Sequence, residues 1–427
     1  MVGKYVWKTV LACTFTSAVL VGCGSGDGKD SSDADINLEI YQPKVEIKDA
    51  LEDLVETYEE EHPEVGIDVT TVGGGADSSG DLKTKFASGD APDIYAVGGP
   101  SGKEQYKDNL ADLSDMELVD LALDGTLTSM EEGDEILGVP MNQEGYGFVY
   151  NKSVFEKAGI NPEEITDYDS LEDAVEELDN QKDELGIEGV FAYPAKEKWV
   201  IGNHTLNPYL SSEFDDDVKE VFESDSIDFE KSDEIKQMVD LQYDYSVQPA
   251  LSLDYSQQVE EYFSLERVAM IQQGNWVYPT IEEMDPEFAE ENIGIIPIPV
   301  EGAEGKMPVG VSNHWGVNGD KDEETVQASK DFLDWMYTSD EGKEAVVNNF
   351  KFVPAYEGFD GEDINDTLSQ TVYDYAMEGN TLEWSFLGYP DGWEDTFGAN
   401  VQKYLSDKIS WDEVIDESRT AWEDARE

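Results

Sequence analysis

The sequence predicts an α/β protein with two lobes, and three observations support this prediction. The chain has 427 residues, whereas a single hydrophobic core stops growing at roughly 250–300 residues. After residue 35, strand and helix patterns alternate, which is typical of a parallel sheet with helices on both faces. No Pro- or Gly-rich linker divides the chain, so we expect it to cross between the lobes more than once.

The first predicted elements alternate regularly. Residues 36–40 alternate apolar and polar side chains, as a strand does. Shorter patterns predict a strand at 67–72, a helical segment at 82–87 and a strand at 94–97. Between the first two strands a helix is expected, which ends before Pro63. The apolar residues at helical spacing on this helix are Ile47, Leu51, Leu54, Val55 and Tyr58.

The later elements follow without an internal repeat. Ser170 is predicted to cap a helix, because apolar residues recur on one face after it. Residues 293–298 form an apolar strand that Pro297 interrupts. Residues 323–350 are strongly helical, and 412–426 form a terminal helix. Both lobes are therefore expected to contain helices and strands.

The composition is strongly acidic. The chain has 27 Lys and Arg against 98 Asp and Glu, a net charge of −71. Disorder is excluded, because disordered acidic chains lack aromatics and this chain has 9 Trp, 21 Tyr and 16 Phe. Nucleic acids and acidic lipid surfaces attract basic proteins, so we expect neither as a partner. Carboxylate repulsion weakens in salt, which suggests a saline or alkaline medium; an ordinary acidic protein is the alternative.

The N-terminus has the pattern of a secretory signal. Within residues 1–22, Lys4 and Lys8 precede an apolar stretch from Val10 to Val21. That stretch is shorter than the roughly 20 residues of a membrane-spanning helix. Cleavage after residue 22 would remove two lysines and no acid, which changes the net charge from −71 to −73.

The end of this signal resembles the bacterial lipobox. The sequence LVGC ends at Cys23, and the resemblance implies cleavage before the cysteine and attachment of a lipid to its sulfur. Residues 23–35, rich in Gly, Ser and Asp, would then be a flexible tether. The expected location is the outer face of the cell membrane. Since Cys13 leaves with the signal, the mature chain has no free thiol pair.

Four segments of the sequence stand out: FASGDAPDIY (86–95), GVPMN with FVYNK and FEKAGI (138–160), AMI with GNW (269–276), and VGVSNHWGVN with SDEGK and KFVP (309–354). Together they resemble the extracellular solute-binding proteins of ABC importers, the maltose-binding-like group. The last of them is most similar to receptors of the raffinose and multiple-sugar type.

The resemblance implies a fold and a function. The fold is the two-lobed periplasmic-binding-protein fold of type II, the Venus flytrap, with a ligand cleft between the lobes. Lobe one would comprise 36–144 plus 309–354, and lobe two 145–308 plus 355–427. The implied function is a monomeric receptor, without enzymatic activity or cofactor, that closes on a carbohydrate and delivers it to the ABC permease subunits.

Candidate binding residues follow from the chemistry of sugars. Hydroxyl groups match amides, carboxylates and tyrosine hydroxyls, whereas the flat C–H faces match aromatic rings. Core packing is the alternative for every aromatic candidate, and it is the expectation for Trp335, Trp411 and Trp422 on helices. The aromatic candidates are Tyr146, Trp199, Trp276, Trp315 and Trp384. The polar candidates are Gln42, Asn142, Gln143, Glu144 and Asn313.

Two other functions remain open. In the same fold, aromatic rings could cage the quaternary ammonium of a compatible solute such as a betaine. A secreted glycosidase would use two of the many carboxylates as acid and base. His62, His204 and His314 are too scattered for a metal or catalytic cluster. Of these, His314 is expected either to hydrogen-bond a ligand or to be solvated.

Overall fold

The computed structural model describes residues 34–72, 78–123 and 125–427. The predicted signal, Cys23 and nearly all of the predicted tether lie outside the described residues. The strands of the described chain are β1 (Ile36–Gln42), β2 (Val65–Thr71), β3 (Ile94–Val97), β4 (Glu131–Glu132), β5 (Glu135–Ile136), β6 (Val139–Pro140), β7 (Glu144–Asn151), β8 (Gly189–Phe191), β9 (Val268–Gly274), β10 (Ile293–Ile296), β11 (Met307–Gly310), β12 (His314–Val317) and β13 (Thr381–Leu382).

Helices connect most of these strands. They are α1 (Lys48–Glu61), α2 (Ser78–Ser88), α3 (Gly99–Tyr106), α4 (Glu117–Leu121), α5 (Lys152–Ala158), α6 (Tyr168–Leu185), α7 (Asn207–Leu210), α8 (Val218–Glu223), α9 (Ser232–Asp244), α10 (Tyr278–Met284), α11 (Pro286–Glu291), α12 (Glu323–Thr338), α13 (Asp340–Glu344), α14 (Thr367–Glu378), α15 (Trp393–Leu405) and α16 (Trp411–Arg426). Three π-helical segments occur at Val200–Thr205, Gln257–Phe263 and Ala345–Asn349.

The first sheet belongs to lobe one and has the order β2-β1-β3-β12-β6. The strands β1, β2 and β3 are parallel, and β12 runs antiparallel to both β3 and β6. The carboxyl ends of the parallel strands therefore meet at one edge, where β12 begins and β6 ends. The strand-end residues at this edge are Gln42, Thr71, Val97, Pro140 and His314.

The second sheet belongs to lobe two and has the order β13-β11-β7-β9-β8, with β10 also paired to β7. Every residue of β7 is buried, because sheet neighbours and helices cover it. Glu144 lies opposite Gly310 of β11, and Tyr146 lies opposite Gly274 of β9. The start of β7 and the ends of β9 and β11 therefore share one edge of this sheet.

The chain crosses between the sheets three times. Residues 141–143 join β6 to β7, residues 311–313 join β11 to β12, and a segment after Tyr356 leads into α14. Two of the crossings are hydrogen-bonded to each other: the Met141 amide donates to the Asn313 carbonyl at 3.0 Å. These crossings confirm that no single linker separates the lobes.

The predicted lobe boundaries differ from the sheets in two places. Residues 309 and 310 pair with β7 in the second sheet, although the prediction begins the second part of lobe one at 309. Ala355 and Tyr356 pack in the core of lobe one, although the predicted boundary at 354 assigns them to lobe two. In both places the chain is passing from one sheet to the other, so neighbouring residues contact different lobes. The remaining boundaries stay predictions.

Local interactions correct two helix predictions. The residue that caps α6 is Asp167 rather than Ser170: its carboxylate accepts the Ser170 amide at 2.9 Å, and the Ser170 hydroxyl accepts the Asp167 amide. The predicted helix 323–350 is interrupted at Ser339, whose hydroxyl accepts the Gly342 amide at 2.9 Å. A short polar side chain that satisfies free amides starts a new helix, so the periodic pattern spans two helices.

The predicted core tryptophans differ in burial. Trp411 and Trp422 are buried in lobe two, as predicted. Trp335 is only half-buried on the outer face of lobe one, where its indole nitrogen donates to Glu61 at 3.1 Å. Its ring covers Tyr58, with centroids 5.0 Å apart, so it closes the edge of the core.

Asp366 gives a prediction about pH and stability. It caps α14, accepts the Ser369 amide at 2.6 Å and is buried, and burial raises its pKa to about 6. An unfolded Asp has a pKa of about 3.9. The folded state therefore binds this proton more tightly, and the stabilisation present below about pH 4 is lost as the pH rises to about 6.

We expect Asp366→Asn to keep the capping oxygen without the buried charge. The free energy of unfolding at pH 7 should rise by about 1–3 kcal/mol, whereas at pH 4 it should hardly change. Urea denaturation at both pH values measures this difference. Asp322→Asn is the control, because Asp322 caps α12 at an exposed position and its pKa is lowered by the amides it accepts; it should show no gain at pH 7.

Candidate ligand cleft

The edges of the two sheets face each other across a cleft that is closed along part of its length. Leu387 of lobe two packs against Gly99 of lobe one so closely that a methyl group there would lie 2.8 Å from its Cβ. At the rim, Lys219 of lobe two pairs with Glu131 of lobe one at 2.9 Å. The lobes are therefore in contact while cavities remain between them.

Two cavities lie along this cleft. The one that contains Trp384 has a volume of about 170 Å³, and the one at the ends of β1 and β3 has about 310 Å³. Residues lining the first include Thr126, Gln143 and His314 of lobe one with Val218, Trp384 and Leu387 of lobe two. Residues lining the second include Tyr41, Pro43, Gly98, Ser101 and Asn313 of lobe one with Asp391 of lobe two.

Aromatic rings of lobe two form one cluster, which reaches the cleft at Trp384, a residue that lines the 170 Å³ cavity. Trp276 and Trp384 meet edge to face with centroids 6.4 Å apart, and Tyr146 lies 5.9 Å from Trp384. We call this cluster the aromatic wall; its members are Tyr146, Trp199, His204, Tyr255, Trp276, Trp384 and Phe386. Four of the five predicted aromatic residues are therefore neighbours here.

Sequence reasoning missed three members of the wall. Phe386 follows Trp384 by two residues and lies 5.0 Å from it, so its place beside a candidate was a usable signal. Tyr255 contacts Trp199 at 6.0 Å, but it comes from a distant loop with no motif. His204 was considered only as a metal ligand.

Two glycines allow the wall to lie close to the second sheet. A Cβ at Gly274 would lie 2.2 Å from the ring of Trp276, and one at Gly310 would lie 2.6 Å from Cγ of Trp384. Any side chain at either position would displace an indole. The rings therefore rest on the backbone of β9 and β11, the strands that end at the cleft.

Trp315 does not lie at the cleft. Its side chain is 1% exposed, and its indole nitrogen donates to the Tyr337 hydroxyl at 2.9 Å in the core of lobe one. Successive strand residues point to opposite faces, so His314 faces the cavity while Trp315 faces the helices. We therefore leave Trp315 out of the proposed site.

His314 is buried rather than solvated. One ring nitrogen lies 2.9 Å from the Thr126 carbonyl oxygen, and burial lowers the pKa of the ring to about 4. The imidazole is therefore neutral at pH 7 and holds the segment that lines the 170 Å³ cavity. His314 is therefore not solvated, whereas hydrogen bonding to a ligand stays a prediction, because Nδ1 is buried without a hydrogen-bond partner in the lining of the cavity.

Gln42 holds the loop after β1. Its amide nitrogen donates to the Thr71 hydroxyl at 2.7 Å and to the Lys44 carbonyl, and its amide oxygen accepts the Lys44 amide. The side chain is completely buried. Since both ends of the amide are engaged, Gln42 positions the loop and is not a direct ligand contact.

The other amides lie at the crossings. Gln143 lines the 170 Å³ cavity and donates to the Pro354 carbonyl at 3.0 Å. Asn313 is half-buried and lines the second cavity. Asn142 donates to the Gln143 carbonyl at 3.1 Å, while its amide oxygen is buried without a hydrogen-bond partner. These three amides remain candidates for contact with a ligand.

Glu144 forms a buried ion pair with Lys44, a residue that sequence reasoning did not single out. The two side chains are 9% and 8% exposed, and the pair joins the loop after β1 to the start of β7. Burial alone lowers the pKa of Lys44, but the carboxylates of Glu144 and Glu46 outweigh it and raise the pKa. Glu144 therefore connects the lobes, and its carboxylate is already paired.

We expect Lys44→Met to lower the free energy of unfolding by about 3 kcal/mol, because it leaves the Glu144 charge buried and unpaired. Replacing both residues, as Lys44→Met with Glu144→Leu, should restore most of this loss. Urea denaturation measures the cycle. Lys48→Met is the control, since Lys48 is 50% exposed and pairs with Glu52 at the surface; its effect should stay within about 0.5 kcal/mol. Equal effects at positions 44 and 48 would contradict the assignment.

Among residues 34–72, 78–123 and 125–427, no three His, Cys, Asp or Glu side chains come together as a metal site. Within the same ranges, no helix is long and apolar enough to span a membrane.

Two α/β lobes, joined by three crossings and closed over an aromatic cleft, define a binding protein of the type II periplasmic class, as the sequence predicted. Residues 44–343 match the profile of the family described as bacterial extracellular solute-binding protein. The chain belongs to this family. Membership implies an extracytoplasmic location and a binding role rather than an enzymatic one.

Relatives and solved structures agree with this assignment. The chain is 22% identical to the multiple sugar-binding protein of Streptococcus mutans over 288 residues, 64% of this chain and 65% of that protein. It is 28% identical to the melibiose/raffinose/stachyose-binding protein MelE of Bacillus subtilis over 162 residues, 37% of each chain. The match thus spans less than two thirds of either relative.

The structural match covers more of the chain. The binding protein RafE in complex with raffinose superposes with a TM-score of 0.74 at 18% identity, over 92% of this chain and 100% of that one. At this identity the match establishes the fold, which is the two-lobed fold predicted from the sequence.

Proposed function

We propose that this protein is the substrate-binding lipoprotein of an ABC importer, and that it captures a carbohydrate, specifically an oligosaccharide, by closing its lobes. The observation that carries the proposal is the aromatic wall, which reaches the cleft at Trp384, together with buried polar atoms that have no partner. The two relatives described above are named as sugar-binding proteins, and the structure described above contains raffinose. The proposed partners are the sugar and the transmembrane subunits of the permease, to which the monomeric receptor would deliver it.

The chemistry of the cleft favours hydroxyl groups. The indole nitrogen of Trp384 is a donor and the amide oxygen of Asn142 is an acceptor; both are buried without a partner. Leaving such atoms unpaired costs about 1–3 kcal/mol each. A sugar hydroxyl can accept from the first and donate to the second, while the aromatic faces cover the C–H surface of the ring.

A betaine matches the cleft less well. The aromatic wall could surround its quaternary ammonium, and its carboxylate could accept from Trp384. However, it has no O–H or N–H group, so it cannot donate to Asn142. This difference favours the carbohydrate over the compatible solute.

The glycosidase alternative receives no support from two carboxylates that lie close to wall residues in the sequence. Glu144 is paired with Lys44, and Glu383 accepts the Val218 amide at 3.0 Å. A glycosidase needs one carboxyl as acid and one as base or nucleophile beside the substrate. Both side chains instead hold protein groups in place.

Closure would use the three crossings as a hinge. A ligand that contacts both lobes binds the closed form more tightly than the open form, and only that difference shifts the equilibrium. Asn142 and Gln143 lie within one crossing, and Trp384 rests on Gly310 beside another. Ligand contacts are therefore adjacent to the segments that would bend.

A thermal-shift screen of residues 34–427 tests the ligand class. We expect raffinose, stachyose or melibiose to raise the unfolding midpoint and glycine betaine to leave it unchanged. A ligand at 100 times its dissociation constant adds about 2.7 kcal/mol of stability. A response to betaine alone would overturn the sugar assignment, and release of free monosaccharides from an oligosaccharide would overturn the receptor assignment.

We expect Trp276→Ala and Trp384→Ala each to weaken binding of the active sugar by about 30-fold, because truncating a central aromatic contact costs about 2 kcal/mol or more. Isothermal titration calorimetry measures the loss. Trp335→Ala is the matched control, since this half-buried tryptophan lies on the outer face of lobe one. Wild-type affinity in both wall variants would place the sugar elsewhere.

The lipid anchor is a separate part of the proposal. The lipobox resemblance at Cys23 supports attachment to the outer face of the membrane. Cys23→Ser should move the protein from the membrane fraction into the medium or leave it with an uncleaved signal, as measured by fractionation and mass spectrometry. A variant that is processed and stays membrane-bound would contradict lipidation at this residue.

A further inference from the structure

His204 occupies the centre of the aromatic wall. The π-helical segment Val200–Thr205 places it there. Its ring stacks on Tyr146 with centroids 4.3 Å apart and an angle of 18°, and it lies 5.1 Å from both Trp276 and Trp199. Two further rings, Phe386 at 5.6 Å and Trp384 at 6.3 Å, complete its surroundings.

The imidazole is a polar group with an unused nitrogen. The side chain is 6% exposed, and Nδ1 is buried without a hydrogen-bond partner. Burial lowers the pKa of the ring to about 3, so the ring is neutral under ordinary conditions. None of the five rings around it carries a charge, and the only titratable one is Tyr146, whose pKa burial raises.

We propose that His204 determines ligand specificity in this cleft: its neutral imidazole hydrogen-bonds a hydroxyl group of the bound sugar, while its stacked ring fixes the angles of Tyr146 and Trp276. This inference rests on the proposed function, because it needs a hydroxyl-bearing ligand. A neutral imidazole has one donor and one acceptor nitrogen, and a hydroxyl group can satisfy either of them. A fully methylated ligand can accept from the donor nitrogen only.

The choice of side chain supports a binding role. A phenylalanine would stack on Tyr146 equally well without burying an unpaired nitrogen, so a purely structural ring gains nothing from being histidine. A buried water can also satisfy such a nitrogen, and this is the alternative that the experiment must separate. The two explanations predict different effects on affinity when the nitrogen is removed.

Two substitutions separate the ring from its nitrogen. His204→Phe keeps the stack and removes both nitrogens, so the unfolding midpoint should stay the same or rise while the dissociation constant increases at least about 10-fold. His204→Asn loses the ring but keeps polar atoms near the position of Nδ1. It should lower the midpoint and yet bind the sugar more tightly than His204→Phe does.

The measurements are calorimetric titration with raffinose and thermal unfolding without ligand, on residues 34–427. If wild type binds another sugar of the panel more tightly, that sugar is the probe. His62→Phe is the matched control, because His62 also stacks on a tyrosine, Tyr58, at 4.3 Å but lies on the outer face of lobe one. Its affinity should equal that of wild type from pH 5 to 8.

The outcomes are distinct. Weaker binding with an unchanged or higher unfolding midpoint in His204→Phe supports the proposal, since a structural role would lower affinity and midpoint together. Unchanged affinity in His204→Phe overturns it and assigns the nitrogen to a buried water. Parallel loss of midpoint and affinity in both variants also overturns it. If wild type binds no sugar, the proposed function itself fails, and the ligand role of His204 fails with it.

Discussion

The buried ion pair between Lys44 and Glu144 is the constraint on which the cleft depends. It joins the loop after β1 in lobe one to the first residue of β7 in lobe two. Because an unpaired charge is costly at a buried position, the pair restricts how far these two sheet edges can move apart. Gln42 holds the loop from below, and Tyr146 begins the aromatic wall two residues after Glu144. The polar connection and the apolar binding surface are therefore parts of one segment.

Charged side chains of low exposure and those on the surface of this protein differ in how they are paired. Two lysines of low exposure have a defined carboxylate: Lys330 donates to Asp115 at 2.6 Å, and Lys321 pairs with the buried Asp93 at 2.8 Å. Most of the 98 acids have no such partner to share, because the chain has only 27 basic residues. Their repulsion is weakened by salt in the surrounding solution. The saline or alkaline medium therefore stays a prediction, and in an extracytoplasmic protein that medium lies outside the control of the cell.

Local patterns predicted many of the elements, and the resemblance was sufficient for two lobes. The strand at 94–97 and helix α1 follow from short-range periodicity, whereas the break at Ser339 does not. Trp276 was a candidate through its place in a matched segment, and Trp384 was one because aromatic faces match the C–H faces of sugars. Trp315 was expected at the cleft although it lies in the core of lobe one, because a motif does not indicate to which face of the sheet a strand residue points. Glu144 and Gln42 were assigned to the ligand because the sequence does not show their partners. Lys44, the partner of Glu144, and Thr71, a partner of Gln42, both lie far away along the chain. His204 had no sequence signal, since its environment is assembled from four separate segments.

The contact between Trp384 and Gly310 would couple ligand binding to movement of the lobes. Gly310 is the last residue of β11, directly before the crossing at 311–313, and the indole lies on its backbone with no intervening side chain. Bending at that crossing therefore tilts the indole, and a ligand that holds the indole still resists the bending. If the lobes close on a ligand as proposed, ligand occupancy and the angle between the lobes are linked through this one van der Waals contact, and no separate signal would be needed to report that the protein is loaded.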